Sequence, residues 1–133
     1  MSQFVLEIVT PERKVYEESV DMIVVKGVAG ELGILPHHIP MVTPLNIAPL
    51  KIKQGGKEEQ IAINGGFMEV GKEKVVILAE SAEFPQDIDV ERAQASRERA
   101  EERLRSKQNE VDFRRAELAL QRAMNRLKVA GRK

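Results

Sequence analysis

Arginines recur at helical spacing near the end of this chain. Arg92 and Arg99 are seven residues apart, and Arg122 and Arg126 are four apart, so each pair would share one face of a helix. The planar guanidinium presents a fork of N–H donors that suits phosphate oxygens. Glutamates are interspersed among these arginines, at Glu98, Glu101, Glu102 and Glu117. The pattern is therefore compatible with an anion site and equally with a solvated, charge-balanced helix face.

Two predicted helices would position these arginines. Apolar residues at steps of three and four predict one helix from residue 87 to about 105 and another from about 110 to 130. The polar connection over residues 106–109 is short enough to make the helices antiparallel neighbours. Alanine occupies many of the apolar positions of both predicted helices, so the hairpin would bury little apolar surface. It is therefore a candidate switch.

The first 84 residues have a different pattern. Short runs rich in Val and Ile alternate with turn-forming Gly, Pro and Asn, which predicts a β-sandwich or flattened barrel. The predicted strands cover residues 4–10, 20–26, 47–53, 60–64, 66–70 and 74–80. The period changes at Phe84-Pro85, and Asp87 or Asp89 can cap the helix that follows. We predict an α+β chain, with a sandwich domain over residues 1–84 and a helical hairpin domain over residues 85–133.

Charge and composition limit the partners. Residues 1–84 carry 8 Lys+Arg against 12 Asp+Glu, and residues 85–133 carry 13 against 9, so the tail would seek an acidic surface. The small basic excess, with four Phe and one Tyr, argues against nucleic acid as a partner. The longest aliphatic run, residues 75–79, is far short of the roughly 20 residues of a membrane span, and no signal peptide is visible. We expect a soluble cytoplasmic chain that meets a membrane only through a partner complex.

Catalytic and metal-binding patterns are missing from the sequence. There is no cysteine, and neither histidine pairs with a serine nucleophile or a second metal-ligand position. The Gly-Lys dipeptides at residues 56–57 and 71–72 lack the other residues of a phosphate-binding P-loop. We therefore predict no catalytic residues, no metal site and no required cofactor.

The segment over residues 30–40, GELGILPHHIP, is a candidate docking loop. It combines turn formers with Leu32, Ile34, Leu35 and Ile39, which cannot all face an internal core. Exposed apolar side chains in a rigid loop usually mark an interaction site. The alternative is that the loop folds back and caps the sandwich.

This segment resembles the GELGILPxHxP stretch of the epsilon subunits of bacterial F-type ATP synthases. Three more blocks resemble that family in the same order, namely NGGFMEV at residues 64–70, DIDVERA at 87–93 and RAELAL at 115–120. The resemblance extends over the whole chain. One departure is His37, where relatives often have glycine.

The resemblance implies a non-catalytic regulatory and coupling subunit of the rotary, proton-translocating ATP synthase, peripheral at the cytoplasmic face of the cell membrane. The sandwich would bind the gamma subunit and the c-ring. The hairpin would permit ATP hydrolysis when folded, and would inhibit it when extended along gamma to the catalytic beta and alpha subunits. The docking contacts would be Glu31, Leu32, Ile34, Leu35 and His38, and the inhibitory contacts with an acidic segment would be Arg103, Arg105, Arg114 and Arg115.

The resemblance also implies a nucleotide site. Relatives from bacilli share an ATP-sensing motif, (I/L)DxxRA, which residues 88–93 match in full. Carried over by position, the adenine and ribose contacts are Glu83, Ile88, Asp89, Arg92 and Ala93, and the phosphate contacts are Arg99, Arg122 and Arg126. ATP, alone or with magnesium, would be a regulatory ligand, because no residue is placed to activate water for attack on the γ-phosphate.

Two other classes of function remain open at this point. One is a generic adaptor, with a β-sandwich docking module and a helical arm, which would bind no nucleotide. The other is a small nucleotide-dependent enzyme, against which the missing catalytic residues argue.

Overall fold

The computed structural model describes residues 2–106 and 109–131. Within these ranges eight strands precede a short 3₁₀ turn, Pro85–Asp87, and two helices, α1 (Val90–Arg105) and α2 (Glu110–Val129). The strands are β1 (Phe4–Val9), β2 (Lys14–Val20), β3 (Met22–Gly27), β4 (Gly30–Ile34), β5 (Met41–Gln54), β6 (Lys57–Val70), β7 (Lys74–Ala79) and β8 (Ala82–Glu83). The predicted α+β architecture, a β-sandwich followed by two helices, is confirmed.

The sandwich is one hydrogen-bonded sheet that folds over on itself. Its strand order is β2-β1-β7-β6-β5-β3-β4, with β8 paired to β6. The long strands β5 and β6 run antiparallel from the Met41–Val70 pair to the Gln54–Lys57 pair and so belong to both layers. Side chains from β1 to β7 meet in one apolar core, whose largest fully buried members include Leu6, Ile23, Leu50, Ile61 and Ile77.

The Gly65-Gly66 pair lies inside a continuous strand. The sequence pattern places two separate strands here, whereas β6 runs through both glycines and only the pairing register is interrupted, at Asn46 and Gly65. Gly66 has a φ of 142°, and a Cβ there would lie 2.1 Å from the Leu78 carbonyl oxygen. Glycine is therefore required where β6 crosses from one layer to the other.

The sequence pattern does not predict the two edge strands, β2 and β4. β2 carries polar residues through its middle, so its alternation is weak. β4 occupies the first half of the predicted docking loop, where it pairs with β3 and buries the Ile34 side chain completely. The side chain of Ile34, which is predicted as a docking residue, therefore lies in the sandwich core of this structure.

The helices begin at side-chain caps. Asp89 Oδ1 accepts from the Arg92 backbone N–H at 3.0 Å, and Asn109 Oδ1 accepts from the Asp112 N–H at 3.0 Å. The helices pack through buried alanines, namely Ala93 and Ala100 in α1 and Ala116 and Ala123 in α2. Lys107 and Gln108 of the predicted connection lie outside the described residues.

The hairpin rests on the sandwich through a small contact. α2 lies against β5 and β6. The buried apolar residues of this contact, Ala62, Ile88 and Val129, form a cluster separate from the sandwich core. The helices are therefore attached to a complete domain and do not form part of its core.

Candidate functional site

An ion pair joins the hairpin to the end of the sandwich. Arg126 Nε on α2 donates to Glu83 Oε1 on β8 at 2.5 Å, and both side chains are 29% exposed. Both residues belong to the nucleotide site inferred by resemblance. The structure thus brings the last strand of the sandwich and the second helix together at two of the assigned positions.

Residues 84–89 connect β8 to α1, and we call this segment the hinge. At its start, Phe84 packs on the ring of Tyr16, with the ring centroids 6.2 Å apart. Burial, followed by the charge of Glu18, raises the pKa of Tyr16 to about 12, which indicates an apolar anchor. Phe84 is therefore held by the sandwich core.

Three motif residues have structural roles in the docked hairpin. Asp89 caps α1, as one of the two predicted capping residues. Ile88 is buried against Ala62 and Val129, and Ala93 is buried between the helices. These side chains hold the start of α1 in place. The motif at residues 88–93 therefore lies where the hinge meets the first helix.

The four assigned arginines are not all in one place. Arg92 and Arg99 are exposed on α1, and Arg99 Nη2 donates to Ser96 Oγ at 3.1 Å. Arg122 lines a cleft of about 1180 Å³ between the hairpin and the sheet. Arg126 alone of these four makes a described ion pair with the sandwich. The side chains offer an anion several guanidinium groups around the hinge, but they do not form one compact cluster in this structure.

A buried amide contact near this cleft is not predicted by the sequence. Asn125 Nδ2 donates to the Ile63 carbonyl oxygen at 3.0 Å and to Asn64 Oδ1 at 3.2 Å. Asn64 Nδ2 donates in turn to Ser81 Oγ at 2.7 Å. In the sequence, Asn125 is only a single asparagine between two arginines of a predicted helix. Asn64 belongs to an Asn-Gly pair, which is more typical of a turn than of a buried contact.

The predicted inhibitory arginines lie at the far end of the hairpin. Arg103 and Arg105 belong to the last turn of α1, and Arg114 and Arg115 to the beginning of α2. All four are exposed, and Arg114 Nη1 pairs with Glu117 Oε1 on its own helix at 3.2 Å. This end of the hairpin therefore presents cations to solvent.

The predicted docking segment is partly exposed. Leu35 and Ile39 are 55% and 79% exposed, whereas Leu32 is half-buried. Glu31 is exposed on β4 opposite Lys26 of β3, and His38 Nδ1 donates to the Ile39 carbonyl oxygen at 2.8 Å. The exposed apolar side chains lie after β4 rather than along it.

The loop geometry explains a departure noted in the sequence. His37 has a φ of 66°, a left-handed conformation that glycine adopts without strain. Relatives with glycine at this position would therefore fit the same turn.

A second apolar surface was missed in the sequence. Phe67 on β6 pairs with Leu78 on β7 and with Pro44 on β5, so their side chains share one outer face. Phe67, Leu78 and the neighbouring Val42 are each more than half exposed. In sequence Phe67 continues the apolar alternation of β6, and the irregularity at Gly65-Gly66 turns it to the outer face. Leu78 faces outward by the regular alternation of β7.

In the described ranges no helix is both long and apolar enough to span a membrane. Likewise, within residues 2–106 and 109–131, no three His, Cys, Asp or Glu side chains converge as metal ligands would.

Comparison with known families then decides the relationship. Residues 3–85 match the family described as ATP synthase, Delta/Epsilon chain, beta-sandwich domain, and residues 86–131 match the corresponding long alpha-helix domain. The chain belongs to the ATP synthase delta/epsilon family. The predicted resemblance to the epsilon subunits of bacterial F-type ATP synthases is confirmed.

Individual relatives agree along the whole length. The ATP synthase epsilon chain of Halalkalibacterium halodurans is 57% identical over 128 residues, which cover 96% of each chain. That of Alkalihalophilus pseudofirmus is 58% identical, over 99% of this chain and 100% of its own. A structure of the Euglena gracilis mitochondrial ATP synthase, OSCP/F1/c-ring, contains a chain with 28% identity and a TM-score of 0.84, over 98% of this chain and 82% of that one.

These relatives indicate which part of the ATP synthase this chain is. As an ATP synthase epsilon chain, the molecule is an accessory subunit of a membrane-associated complex and not its catalytic subunit. Its partners lie within the ATP synthase, and its fold matches a chain of the Euglena assembly described as OSCP/F1/c-ring.

Proposed function

We propose that this subunit couples and regulates the rotary ATP synthase: its sandwich docks on the gamma subunit and the c-ring, and its hairpin inhibits ATP hydrolysis and senses ATP. The observation that carries the proposal is the Arg126–Glu83 ion pair, which holds the hairpin against the sandwich at two positions of the nucleotide site inferred by resemblance. A ligand at these positions would bear directly on whether the hairpin stays docked.

Docking is supported by the two exposed apolar surfaces. Ile39 and Leu35 form one, and Phe67, Leu78 and Val42 form the other. Apolar side chains exposed together on a well-ordered sandwich favour a protein partner. In the proposed assembly these surfaces face gamma and the c-ring, so the subunit is peripheral at the cytoplasmic face of the cell membrane.

ATP sensing is supported by the small area that holds the hairpin. The apolar contact consists of Ala62, Ile88 and Val129, so a modest free energy suffices to shift the equilibrium between docked and extended states. A ligand that binds only the docked state at 100 times its dissociation constant stabilises that state by about 2.7 kcal/mol. Cellular ATP at such a concentration would keep the hairpin docked.

Inhibition is supported by the cations at the far end of the hairpin. Arg103, Arg105, Arg114 and Arg115 are exposed and distant in sequence from the hinge. When the hairpin extends, this end would reach the catalytic subunits, and the arginines would meet an acidic segment there. The same helices thus serve as sensor near the hinge and as inhibitor at the far end.

The test is calorimetric titration of the full chain with ATP, with ADP as a control and with magnesium present or absent, while helix content is followed by circular dichroism. Saturable binding that prefers ATP and increases helix content is the expected result. No heat of binding at millimolar ATP would refute the sensing role and leave docking and inhibition to be tested in the complex.

A further inference from the structure

The contact between α2 and the sheet contains a buried chain of polar side chains. Asn64 is 2% exposed and Asn125 is 5% exposed. Asn125 Nδ2 bonds both the Ile63 carbonyl oxygen and Asn64 Oδ1, and Asn64 continues to Ser81 Oγ. These bonds join a helix of the hairpin to two points of the sandwich.

The apolar part of the same contact discriminates poorly between alternative positions of the helix. It is formed by Ala62, Ile88 and Val129, with Ala130 packed beside them. Apolar contacts are non-directional, so these few side chains would stay largely buried if the helix slid or rotated slightly. A buried amide behaves differently, because a shift separates it from its acceptors and leaves them unpaired away from water. A single buried asparagine is a known device for fixing helix register.

The amide lies between two arginines of the proposed nucleotide site. Asn125 directly precedes Arg126 and follows Arg122 by three residues. Because a helix is rigid, the rotation that directs Asn125 at Ile63 also determines where the flanking guanidinium groups point. In the observed rotation Arg126 meets Glu83 and Arg122 lines the cleft.

We propose that Asn125, through Asn64, is a positioning residue of the nucleotide-sensing site: it sets the rotation and register of α2 on the sheet and thereby aims Arg122 and Arg126. The proposal rests on the proposed function, since it concerns the same site. Its ligand is a nucleoside triphosphate, whose phosphates the aimed guanidinium groups contact.

The unpaired oxygen of the amide fits this role. Asn125 Oδ1 is buried and has no hydrogen-bond partner among the residues that the structure describes. A contact selected for stability alone would use an apolar side chain here, since a partly satisfied buried amide contributes little net stability. The amide is therefore suited to specify one docked arrangement while leaving the hairpin releasable.

The experiment combines a distance measurement with ATP titration of the full chain. The native chain has no cysteine, so Lys57→Cys on the sandwich and Val111→Cys on α2 give two labelling sites for pulsed electron-spin distance measurement. The test variants are Asn125→Leu, Asn125→Asp and the double variant Asn125→Leu/Asn64→Leu. The matched control is Gln121→Leu, which removes an exposed amide one turn earlier on the same helix.

A narrow distance distribution is expected for the wild type and for Gln121→Leu. Asn125→Leu and Asn125→Asp should broaden it and lower ATP affinity about tenfold or more, because Ile63 O and Asn64 Oδ1 lose their donor. The double variant also removes the Asn64 side-chain amide, so that the Ile63 carbonyl oxygen and Ser81 Oγ are the acceptors left without the donor, and docking should be partly recovered. The hairpin should dock at more than one distance, with ATP affinity still low.

Two results would overturn the proposal. One is a narrow, wild-type distribution with unchanged ATP affinity in both single variants. The other is full recovery of affinity in the double variant, since the amide would then contribute only to docking strength. If the wild type binds no ATP, the proposed function fails. The spin-label distances would still test whether Asn125 positions α2, because unchanged distance distributions in Asn125→Leu and Asn125→Asp would exclude that role.

Discussion

Arg126 binds Glu83 through its Nε atom, at 2.5 Å from the carboxylate oxygen Oε1. This bond uses one of the five N–H donors of the guanidinium. Glu83 can therefore hold Arg126 in place while the remaining donors bind an anion. Glu83, which the resemblance places among the adenine and ribose contacts, thus has a second role in the docked hairpin.

Removing Arg126 should weaken ATP binding. We expect Arg126→Ala to lower ATP affinity by about tenfold or more, since hydrogen bonds to charged groups contribute about 1.5–3 kcal/mol. Calorimetric titration measures the change. Lys128→Ala is the matched control, because it removes an exposed cation two residues away on the same helix. Equal losses in the two variants would indicate a general charge effect and count against a specific site.

Asp89 should act in two separable ways. Asp89→Ala removes the N-cap of α1, which should cost about 1 kcal/mol of hairpin stability, and it should also lower ATP affinity. Asp89→Asn keeps a capping side chain without the charge, so helix content should be preserved. Circular dichroism and calorimetry on both variants separate the effects. Wild-type ATP affinity in Asp89→Ala would remove this residue from the site.

Neutralising the far end of the hairpin should relieve inhibition. We expect the double variant Arg103→Ala/Arg115→Ala to raise ATP hydrolysis by the assembled enzyme at low ATP, because the extended hairpin loses its cations. Sandwich stability should not change. The control is Arg13→Ala/Lys53→Ala, which removes two exposed cations of the sandwich. Hydrolysis at the wild-type rate in the hairpin variant would contradict the proposed contact.

Polar substitutions on the exposed apolar surfaces should weaken assembly. Ile39→Ser and Phe67→Ser each remove a side chain that a partner would bury, at a cost of about 1.5–3 kcal/mol for full burial. Binding to the isolated gamma subunit and to the c-ring, measured by surface plasmon resonance, tells which surface serves which partner. Val111→Ser, an exposed apolar residue of α2, should have no effect in the docked state. Unchanged binding of both test variants to both partners would exclude these surfaces.

An ion triad on the outer face of the sandwich should make stability depend on pH. Glu7 on β1 pairs with Lys74 on β7 and with Lys14 on β2, the latter at 3.1 Å. Hydrogen bonds from Lys74 and then Lys14 hold the pKa of the Glu7 carboxyl below its ordinary value of 4.5. A carboxyl whose pKa is lower in the folded state stabilises the fold above its unfolded pKa. This contribution is lost as pH falls through the folded value.

The variant Glu7→Gln should therefore melt below the wild type at neutral pH. The difference should shrink as the pH is lowered through and below 4.5. Thermal unfolding followed by circular dichroism at several pH values measures it. Glu69→Gln, an exposed residue of the same face, provides the control. A constant difference at all pH values would show that Glu7 acts through packing instead of charge.

The sequence predicts the helices better than the strands. Alanine and leucine at steps of three and four place α1 and α2 within a few residues, because that period is specific to helices. Gly30–Ile34 was predicted as a loop, since its glycines and the following proline conceal a short edge strand. For the same reason the sequence pattern places Ile34 at the surface. Its burial results from the pairing of β4 with β3, which the pattern of residues 30–40 alone does not reveal.

The candidate site was predictable only in part. The resemblance to relatives from bacilli names Glu83 and Arg126, which the fold brings together. It does not name Asn64 or Asn125, because neither residue type has a period or a spacing that indicates a buried contact. Their role depends on how α2 crosses β6, which is a tertiary relationship between residues some sixty positions apart.

The long pairing of β5 with β6 also has a mechanical consequence. A pull along these strands loads their hydrogen bonds in shear, so many must break together before the layers separate. The hairpin is held to the sandwich by the Asn125 amide, one ion pair and a cluster of three buried apolar side chains, which a lifting force would break one after another. Under torque the sandwich would behave as a stiff body, while the helices peel away at much lower force. One chain thus combines a rigid mechanical element with a compliant one.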